Sequence, residues 1–136
     1  MSEYYSDLPP CLVSWIDRNM PELGGYRGVR IRCRARLPFQ WLPGFMPTVR
    51  GITLWDTIYL KRNCCPIDPM SADSVELLFH ELVHVGQFRR GRFAFPVRYL
   101  IDLARLGYWN IPAEQEARDR GEELARLYMK ERPCHS

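Results

Sequence analysis

The segment Asp73-Ser-Val-Glu-Leu-Leu-Phe-His-Glu-Leu-Val-His-Val-Gly-Gln87 has the pattern of an amphipathic helix. Asp73 and Glu76, three residues later, form a capping-box pattern, which predicts that the helix begins at Asp73. An apolar stripe at helical spacing consists of Val75, Leu78, Phe79, Leu82, Val85 and Gly86. Because each residue turns a helix by about 100°, His80 and His84 fall on the side opposite this stripe. The helix is therefore predicted to pack its apolar side into the core and to turn both histidines toward a cleft.

Two of the three histidines of the chain lie in the pattern His80-Glu81-Leu82-Val83-His84. Histidines four residues apart on a helix lie one turn apart on the same side, so both imidazoles can reach one metal ion. The glutamate beside the first histidine can act as a general base on a water molecule there. The alternative is a buried pair of histidines without a metal, which requires a hydrogen-bond partner for each ring. The pattern predicts a zinc site with His80 and His84 as ligands and Glu81 as a catalytic residue.

A catalytic zinc ion usually takes three protein ligands, so one ligand remains to be found. The candidates downstream are Asp102, Glu114, Glu116, Asp119, Cys134 and His135. Glu114 and Glu116 are about 200° apart on a helix, so only one of them can face the metal. Glu116 lies deeper in its helix and precedes the small Ala117, which favours it, while the helix dipole alone explains a carboxylate at Glu114. Spacing leaves the choice open, since an exposed Glu116 could instead pair with Arg120.

The first half of the chain predicts one helix followed by strands. Apolar residues recur every three or four positions from Leu8 to Met20, which is typical of a helix. Residues 26–37 alternate between apolar and polar, which predicts a half-buried strand. Residues 48–61 predict a β-hairpin or a bent strand pair with its bend at residues 55–57. Four apolar residues of this pair share one parity: Ile52, Leu54, Ile58 and Leu60.

The polar positions of the strand at 26–37 are all arginine, namely Arg30, Arg32, Arg34 and Arg36. A solvated face, or an edge strand protected by charge, is the simpler interpretation. A surface for an anionic partner such as nucleic acid is the alternative. We favour the simpler interpretation, so nucleic acid is not expected as a partner.

Two further helices are predicted after the histidine segment, one from Pro96 to Gly107 and one from Pro112 to about Glu131. Their predicted core residues are Leu100, Ile101, Ala104, Ala117, Leu124 and Leu127. The chain is thus predicted as one α+β domain over residues 1–136. Residues 1–70 would supply the N-terminal helix and a small antiparallel or mixed sheet. Residues 71–136 would supply the histidine helix, on which the sheet packs, and the two C-terminal helices.

The composition is that of an ordinary globular protein, with 46% hydrophobic and 26% charged residues. No apolar stretch has the length of a membrane span, and the first residues lack the basic start and apolar run of a signal peptide. The five cysteines, Cys11, Cys33, Cys64, Cys65 and Cys134, show no repeated spacing. They are interpreted as reduced thiols of a cytoplasmic protein, with secretion by a non-classical route as a further possibility.

Three segments together resemble a known family: Ile52-Thr-Leu-Trp-Asp-Thr-Ile-Tyr-Leu60, Leu78-Phe-His-Glu-Leu-Val-His-Val-Gly-Gln87 and Glu114-Gln-Glu-Ala117. They are similar to the zincin-like domain, a metallopeptidase-type domain found with extracellular contractile injection systems. The resemblance implies a zincin-like fold with zinc as cofactor. It also implies that the glutamate immediately before the alanine, Glu116, is the third ligand.

Two imidazoles and a carboxylate suit Zn²⁺, which activates water and polarises a carbonyl group. The predicted function is therefore that of a zinc metallopeptidase acting on a peptide or protein substrate. Glu81 is predicted to transfer the proton, and Tyr108, with Tyr99 as a second candidate, to donate to the oxyanion. Gln87 lies on the histidine side and is predicted to bind substrate, and the strand at 52–60 could pair with an extended peptide. The alternative is a zinc-binding or interaction domain without turnover that uses the arginine strand.

Overall fold

The computed structural model describes residues 4–37 and 50–134, which form four strands and four α-helices. In chain order these are β1 (Tyr4–Ser6), α1 (Pro10–Asn19), β2 (Arg30–Arg34), β3 (Gly51–Leu54), β4 (Thr57–Lys61), α2 (Ala72–Arg90), α3 (Ala94–Leu106) and α4 (Pro112–Glu131). Short 3-10 turns lie at Pro21–Leu23, Arg62–Cys64 and Tyr108–Asn110. The predicted α+β class is confirmed. Within the described ranges, no helix has the length and apolar character needed to cross a bilayer.

The four strands form one mixed sheet in the order β1-β2-β4-β3. β2 is antiparallel to β1 and parallel to β4, and β3 is antiparallel to β4. β2 therefore has a neighbour on each side, so the interpretation of its arginines as protection for an edge strand is wrong. Ile31 and Cys33 are buried. The guanidinium groups of Arg32 and Arg34 lie 5.8 and 5.9 Å from the centre of the Tyr59 ring, on the opposite face of the sheet.

The hairpin of β3 and β4 differs from its predicted parity. A two-residue turn joins the strands, and the register pairs Thr53 with Ile58. Across such a turn an odd-numbered residue pairs with an even-numbered one. One face of the hairpin therefore carries odd-numbered residues of β3 and even-numbered residues of β4. Gly51 and Thr53 are therefore the buried residues of β3, whereas Ile52 and Leu54 are half-buried on the other face. As a result, a threonine hydroxyl points from the edge strand toward α2.

α2 begins two residues earlier than the capping-box pattern predicts, since that pattern places the N-cap at Asp73. Its N-cap is Ser71, whose side chain accepts a hydrogen bond of 3.3 Å from the backbone N–H of Ser74. The serine satisfies one of the free N–H groups at the helix start, so Asp73 is not needed for that role. Asp73 lies in the first turn, where the helix dipole favours its charge, and pairs with Arg50 at 2.8 Å.

α2 is the central helix of the domain and is buried on nearly every side from Val75 to Phe88. The predicted open cleft on its histidine side is occupied by α4, with which α2 packs more extensively than with any other element. An aromatic cluster joins α1, α2 and α4, because Trp15 lies 5.3 Å from Phe79 and 5.2 Å from Tyr128 between ring centroids. The site is therefore carried by the most rigidly packed part of the fold.

Two of the six residues predicted as core of the C-terminal helices are correct. Ala117 and Leu124 of α4 are buried. The other four predicted core residues are exposed: Leu100, Ile101, Ala104 and Leu127. α3 turns the half-buried Tyr99 and the buried Asp102 inward, so its apolar stripe points away from the core.

Four of the five cysteines form disulfides, Cys11 with Cys134 and Cys33 with Cys65, and Cys64 is free. The interpretation of all five as reduced thiols is wrong for these four. Folding brings cysteines 123 and 32 positions apart to Cα distances of 5.4 and 6.3 Å, which suit a disulfide. Cys134 is thereby excluded as a metal ligand, and the third histidine, His135, lies outside the described residues.

Candidate metal centre

Glu114 of α4 meets both histidines of α2. Its Oε1 atom lies 3.1 Å from Nε2 of His80 and 3.2 Å from Nε2 of His84. One donor atom from each of the three residues lies within 4.8 Å of the others. Ligand atoms about 2.0–2.1 Å from a tetrahedral zinc ion lie about 3.3–3.4 Å from one another. The three side chains are therefore spaced much as one zinc ion would need them.

The chemistry of this donor set also fits zinc, which binds imidazole nitrogen and carboxylate oxygen. Nδ1 of His84 lies 2.7 Å from Oε1 of Gln87, an acceptor, so the imidazole donates from Nδ1. Nε2 of His84, which faces Glu114, is then the nitrogen that could bind a metal ion. This arrangement of a ligand histidine and an acceptor behind it is typical of protein metal sites.

The electrostatics of the site favour a cation between His84 and Glu114. Burial opposes ionisation of Glu114, but the charge of His84 and hydrogen bonds from His80, His84 and Tyr99 hold the pKa of this carboxyl well below its usual range. Burial also opposes the charged form of His84, yet Glu114 outweighs it and raises the pKa of His84 to about 9. Glu114 is thus an anion at neutral pH, and a proton or a metal ion can supply the positive charge.

The structure brings Glu114, and not the predicted third ligand Glu116, to the two histidines. The buried side of α4 carries Glu114, Ala117, Gly121, Leu124, Ala125 and Tyr128. These residues recur every three or four positions, so Glu114 shares the face that packs on α2. Glu116 is out of phase with them, and 54% of its side chain is exposed. The signal was present in the sequence, because Glu114 precedes the small residues Ala117 and Gly121 by three and seven positions.

Gly121 allows α4 to approach the backbone of α2 at the first histidine. A Cβ atom at this position would lie 3.2 Å from the backbone nitrogen of His80 and 3.3 Å from the Cα atom of His80. These are backbone atoms inside a buried helix, so they cannot move aside easily. The glycine therefore sets the distance between the helix that carries both histidines and the helix that carries Glu114.

Gln87, predicted to bind substrate, instead connects α2 to the start of α4. It is buried, and its Oε1 accepts from His84. Its Nε2 donates to the carbonyl oxygen of Ala113 at 3.1 Å and to Oε1 of Glu116 at 2.6 Å. These three contacts occupy the amide group within the protein. Gln87 therefore orients the imidazole of His84. Through Ala113 and Glu116 it also fixes the first turn of α4, in which Glu114 lies.

We expect Gln87→Leu to weaken zinc affinity by about 10–100-fold, the usual effect of losing a partner behind a ligand histidine. The substitution removes the acceptor for Nδ1 of His84 and the bond to Ala113. Isothermal titration of the metal-free protein with zinc measures the change. Gln115→Leu is the matched control, because Gln115 is exposed on α4. Equal affinities for the two variants would show that Gln87 does not orient His84.

Glu81 is held between α2 and the edge strand. Only 4% of the residue is exposed, and its Oε1 accepts a hydrogen bond of 2.8 Å from the Thr53 hydroxyl. A Cβ atom at Gly51 would lie 3.2 Å from Oε2 of Glu81, so the glycine makes room for the carboxylate. Sequence reasoning missed Thr53 and Gly51, because the parity of the hairpin placed both on the wrong face.

Both tyrosines predicted as oxyanion donors lie beside Glu114. The Tyr99 hydroxyl donates to Oε2 of Glu114 at 2.7 Å. Tyr108 lies in the 3-10 turn before α4 and is half-buried. Burial and then the carboxylate of Glu114 raise the pKa of both phenols, and Glu81 adds to the effect. Both hydroxyls are therefore protonated donors at neutral pH.

Comparison with protein-family models, with curated proteins and with solved structures finds no match to this chain.

Proposed function

We propose that the protein is a zinc-dependent hydrolase of the metallopeptidase type, with His80, His84 and Glu114 as zinc ligands. The observation that supports this most strongly is the convergence of both Nε2 atoms on one buried carboxylate oxygen, at 3.1 and 3.2 Å. The resemblance of the histidine helix to zincin-like domains supports the same proposal. When bound, zinc would lower the pKa of a water molecule and polarise a carbonyl group.

Glu81 would serve as the general base, accepting a proton from the attacking water and delivering it to the leaving amine. The hydrogen bond from Thr53 would hold one oxygen of the carboxylate in place and leave the other for the proton. Tyr108 would donate to the developing oxyanion. Tyr99 has its hydroxyl committed to Glu114, which suits it better to fixing the ligand than to contacting substrate.

The edge strand gives this proposal a place for the substrate backbone. Within the described residues β3 pairs only with β4, at the end of the sheet and against α2. An extended peptide can add to such an edge through main-chain hydrogen bonds, which orient the chain without selecting its sequence. Thr53 links the same strand to Glu81, so a peptide bound along β3 would pass close to the general base. We therefore propose a peptide or protein as the substrate.

Glu81→Gln tests the proposal. We expect peptide hydrolysis to fall by about 10²–10⁴-fold, the usual contribution of a positioned general base, while zinc stays bound. The assay is cleavage of a peptide library by the zinc-loaded protein, with metal content measured in parallel. Glu76→Gln is the matched control, since Glu76 is exposed on the same helix. Wild-type protein that carries zinc but cleaves no peptide would contradict the proposal, as would full activity in Glu81→Gln.

A zinc-binding domain without turnover is the second candidate, and the burial of Glu81 favours it. A carboxylate that is 4% exposed and bonded to Thr53 can tie α2 to the sheet as a structural element. In that case Glu81→Gln would lower the free energy of unfolding, and neither wild type nor variant would cleave a peptide. Peptide cleavage and unfolding measured on wild type and Glu81→Gln therefore distinguish the two candidate functions.

The disulfides suggest where the protein works. Such bonds persist in oxidising environments and are rare where glutathione keeps thiols reduced. We infer that the protein functions in an oxidising setting, in place of the cytoplasm expected from the cysteine spacing. The two bonds, Cys11–Cys134 and Cys33–Cys65, support this inference.

A further inference from the structure

α3 presents an apolar face to solvent. Phe93, immediately before the helix, is 82% exposed, and Leu100 and Val97 are 63% and 59% exposed. Ile101 is exposed beside them. These positions recur at spacings of three and four residues, so they lie along one side of the helix. Contiguous exposed apolar residues of this kind mark an interaction surface more often than isolated ones do.

The apolar face lies in the most basic part of the chain. Residues 89–106 contain five arginines and one aspartate, a net charge of +4. The whole chain carries +3, so the remaining residues together carry −1. Two of these arginines, Arg98 and Arg105, lie on α3 itself, whereas Arg89 and Arg90 end α2 and Arg89 pairs with Asp56.

The arginines border the apolar face. At about 100° per residue, Arg98 and Arg105 lie about 100° and 80° from Val97 around the helix, on one flank of the apolar arc. Both are exposed. Arg98 also pairs with Asp102 at 3.3 Å, and 75% of its side chain is still exposed. Arg92, before the helix, is exposed as well and pairs with Asp56 at 3.1 Å.

We propose that α3 is a peripheral docking surface for an anionic lipid bilayer. A short helix with Phe, Leu, Ile and Val on one side and arginine along its flank lies in the plane of the membrane interface. The apolar side chains enter the boundary between headgroups and acyl chains, and the guanidinium groups bind the lipid phosphates. The site for zinc is on the other side of α3, where Tyr99 contacts Glu114. The proposal therefore does not depend on the enzymatic activity.

Two other occupants agree less well with this arrangement. A second copy of the chain, related by a twofold axis, would place the Arg98 and Arg105 flank near its own equivalent, and like charges across an interface are unfavourable. Nucleic acid would use the arginines but would leave Val97, Leu100 and Ile101 in contact with a charged backbone. An anionic lipid surface uses both the charge and the apolar centre.

Vesicle sedimentation tests the proposal with the full-length protein. Wild type is expected to bind vesicles of phosphatidylcholine mixed with phosphatidylglycerol, to bind phosphatidylcholine alone weakly, and to dissociate at high salt. Removing both charges with Arg98→Gln and Arg105→Gln should weaken binding by about fivefold for each arginine. Replacing Val97, Leu100 and Ile101 with serine should weaken it by about 100-fold or more. These residues are exposed, so zinc binding and the circular dichroism spectrum should stay unchanged.

Matched controls keep the net charge and apolar content comparable. Arg30→Gln with Arg36→Gln removes two exposed arginines elsewhere, and Met70→Ser with Leu127→Ser removes exposed apolar groups elsewhere. Both controls should bind the anionic vesicles as wild type does. The proposal is overturned if wild type does not bind them, or if the controls lose as much binding as the α3 variants. A wild-type dimer that the triple serine variant converts to a monomer would also overturn it, in favour of self-association.

Discussion

Glu114→Gln is expected to lose zinc, whereas Glu116→Gln is expected to keep it. In the first variant a weakly binding amide replaces the carboxylate whose Oε1 atom lies 3.1 and 3.2 Å from the two histidine nitrogens. Zinc affinity should fall by more than about 100-fold. This loss exceeds the roughly 10–100-fold that is usual when a residue hydrogen-bonded to a ligand is removed. In the second variant the new amide oxygen can still accept from Gln87, so affinity should change by less than about tenfold.

Zinc content after dialysis and titration calorimetry would measure both effects. The two substitutions make the same change of charge and size two residues apart on one helix, so each controls for the other. Circular dichroism should show that both variants fold. If Glu116→Gln loses the metal while Glu114→Gln retains it, the ligand set inferred from the structure is wrong and the one implied by the family resemblance is right.

Removing the disulfide between Cys11 and Cys134 should destabilise the protein more than any other change to its cysteines. The bond links positions 123 residues apart, and chain entropy in the unfolded state then predicts a loss of about 4–5 kcal/mol in the free energy of unfolding. The bond between Cys33 and Cys65 spans 32 residues, for which the same reasoning predicts about 3–4 kcal/mol. Double serine variants in denaturant titrations would measure both values.

Cys64→Ser is the control for the disulfide variants, since Cys64 is the free cysteine. It should change the free energy of unfolding by about 1 kcal/mol, the usual effect of a single substitution, because Cys64 is half-buried and packs at the edge of the core. A thiol titration of the unfolded, unreduced protein should find one thiol per chain. Five thiols per chain, or the same stability with and without reductant, would contradict the disulfides. The interpretation of all five cysteines as reduced thiols would then be right.

The difference between Glu116, the predicted third ligand, and Glu114, which lies beside the two histidines, has a clear physical origin. Glu114 and Glu116 occupy the same helix, and the choice between them depends on which face of α4 packs against α2. Gly121 and Ala117 decide that face, because small residues allow the helix backbones to approach. Judged by its immediate neighbours, Glu116 had the better environment, but the phase of the whole helix was the relevant signal.

The sequence by itself determined the elements whose signals are local. The histidine helix and the shared side of His80 and His84 follow from spacing within one helix of 19 residues, and the α+β class follows from the change of period between the two halves of the chain. Only the tertiary structure decided the rest: Glu114 beside the two histidines, Thr53 against Glu81, the disulfide partners and the exposed side of α3. Each of these depends on contacts between residues far apart in sequence, which are fixed by packing between elements and not by the pattern within any one of them.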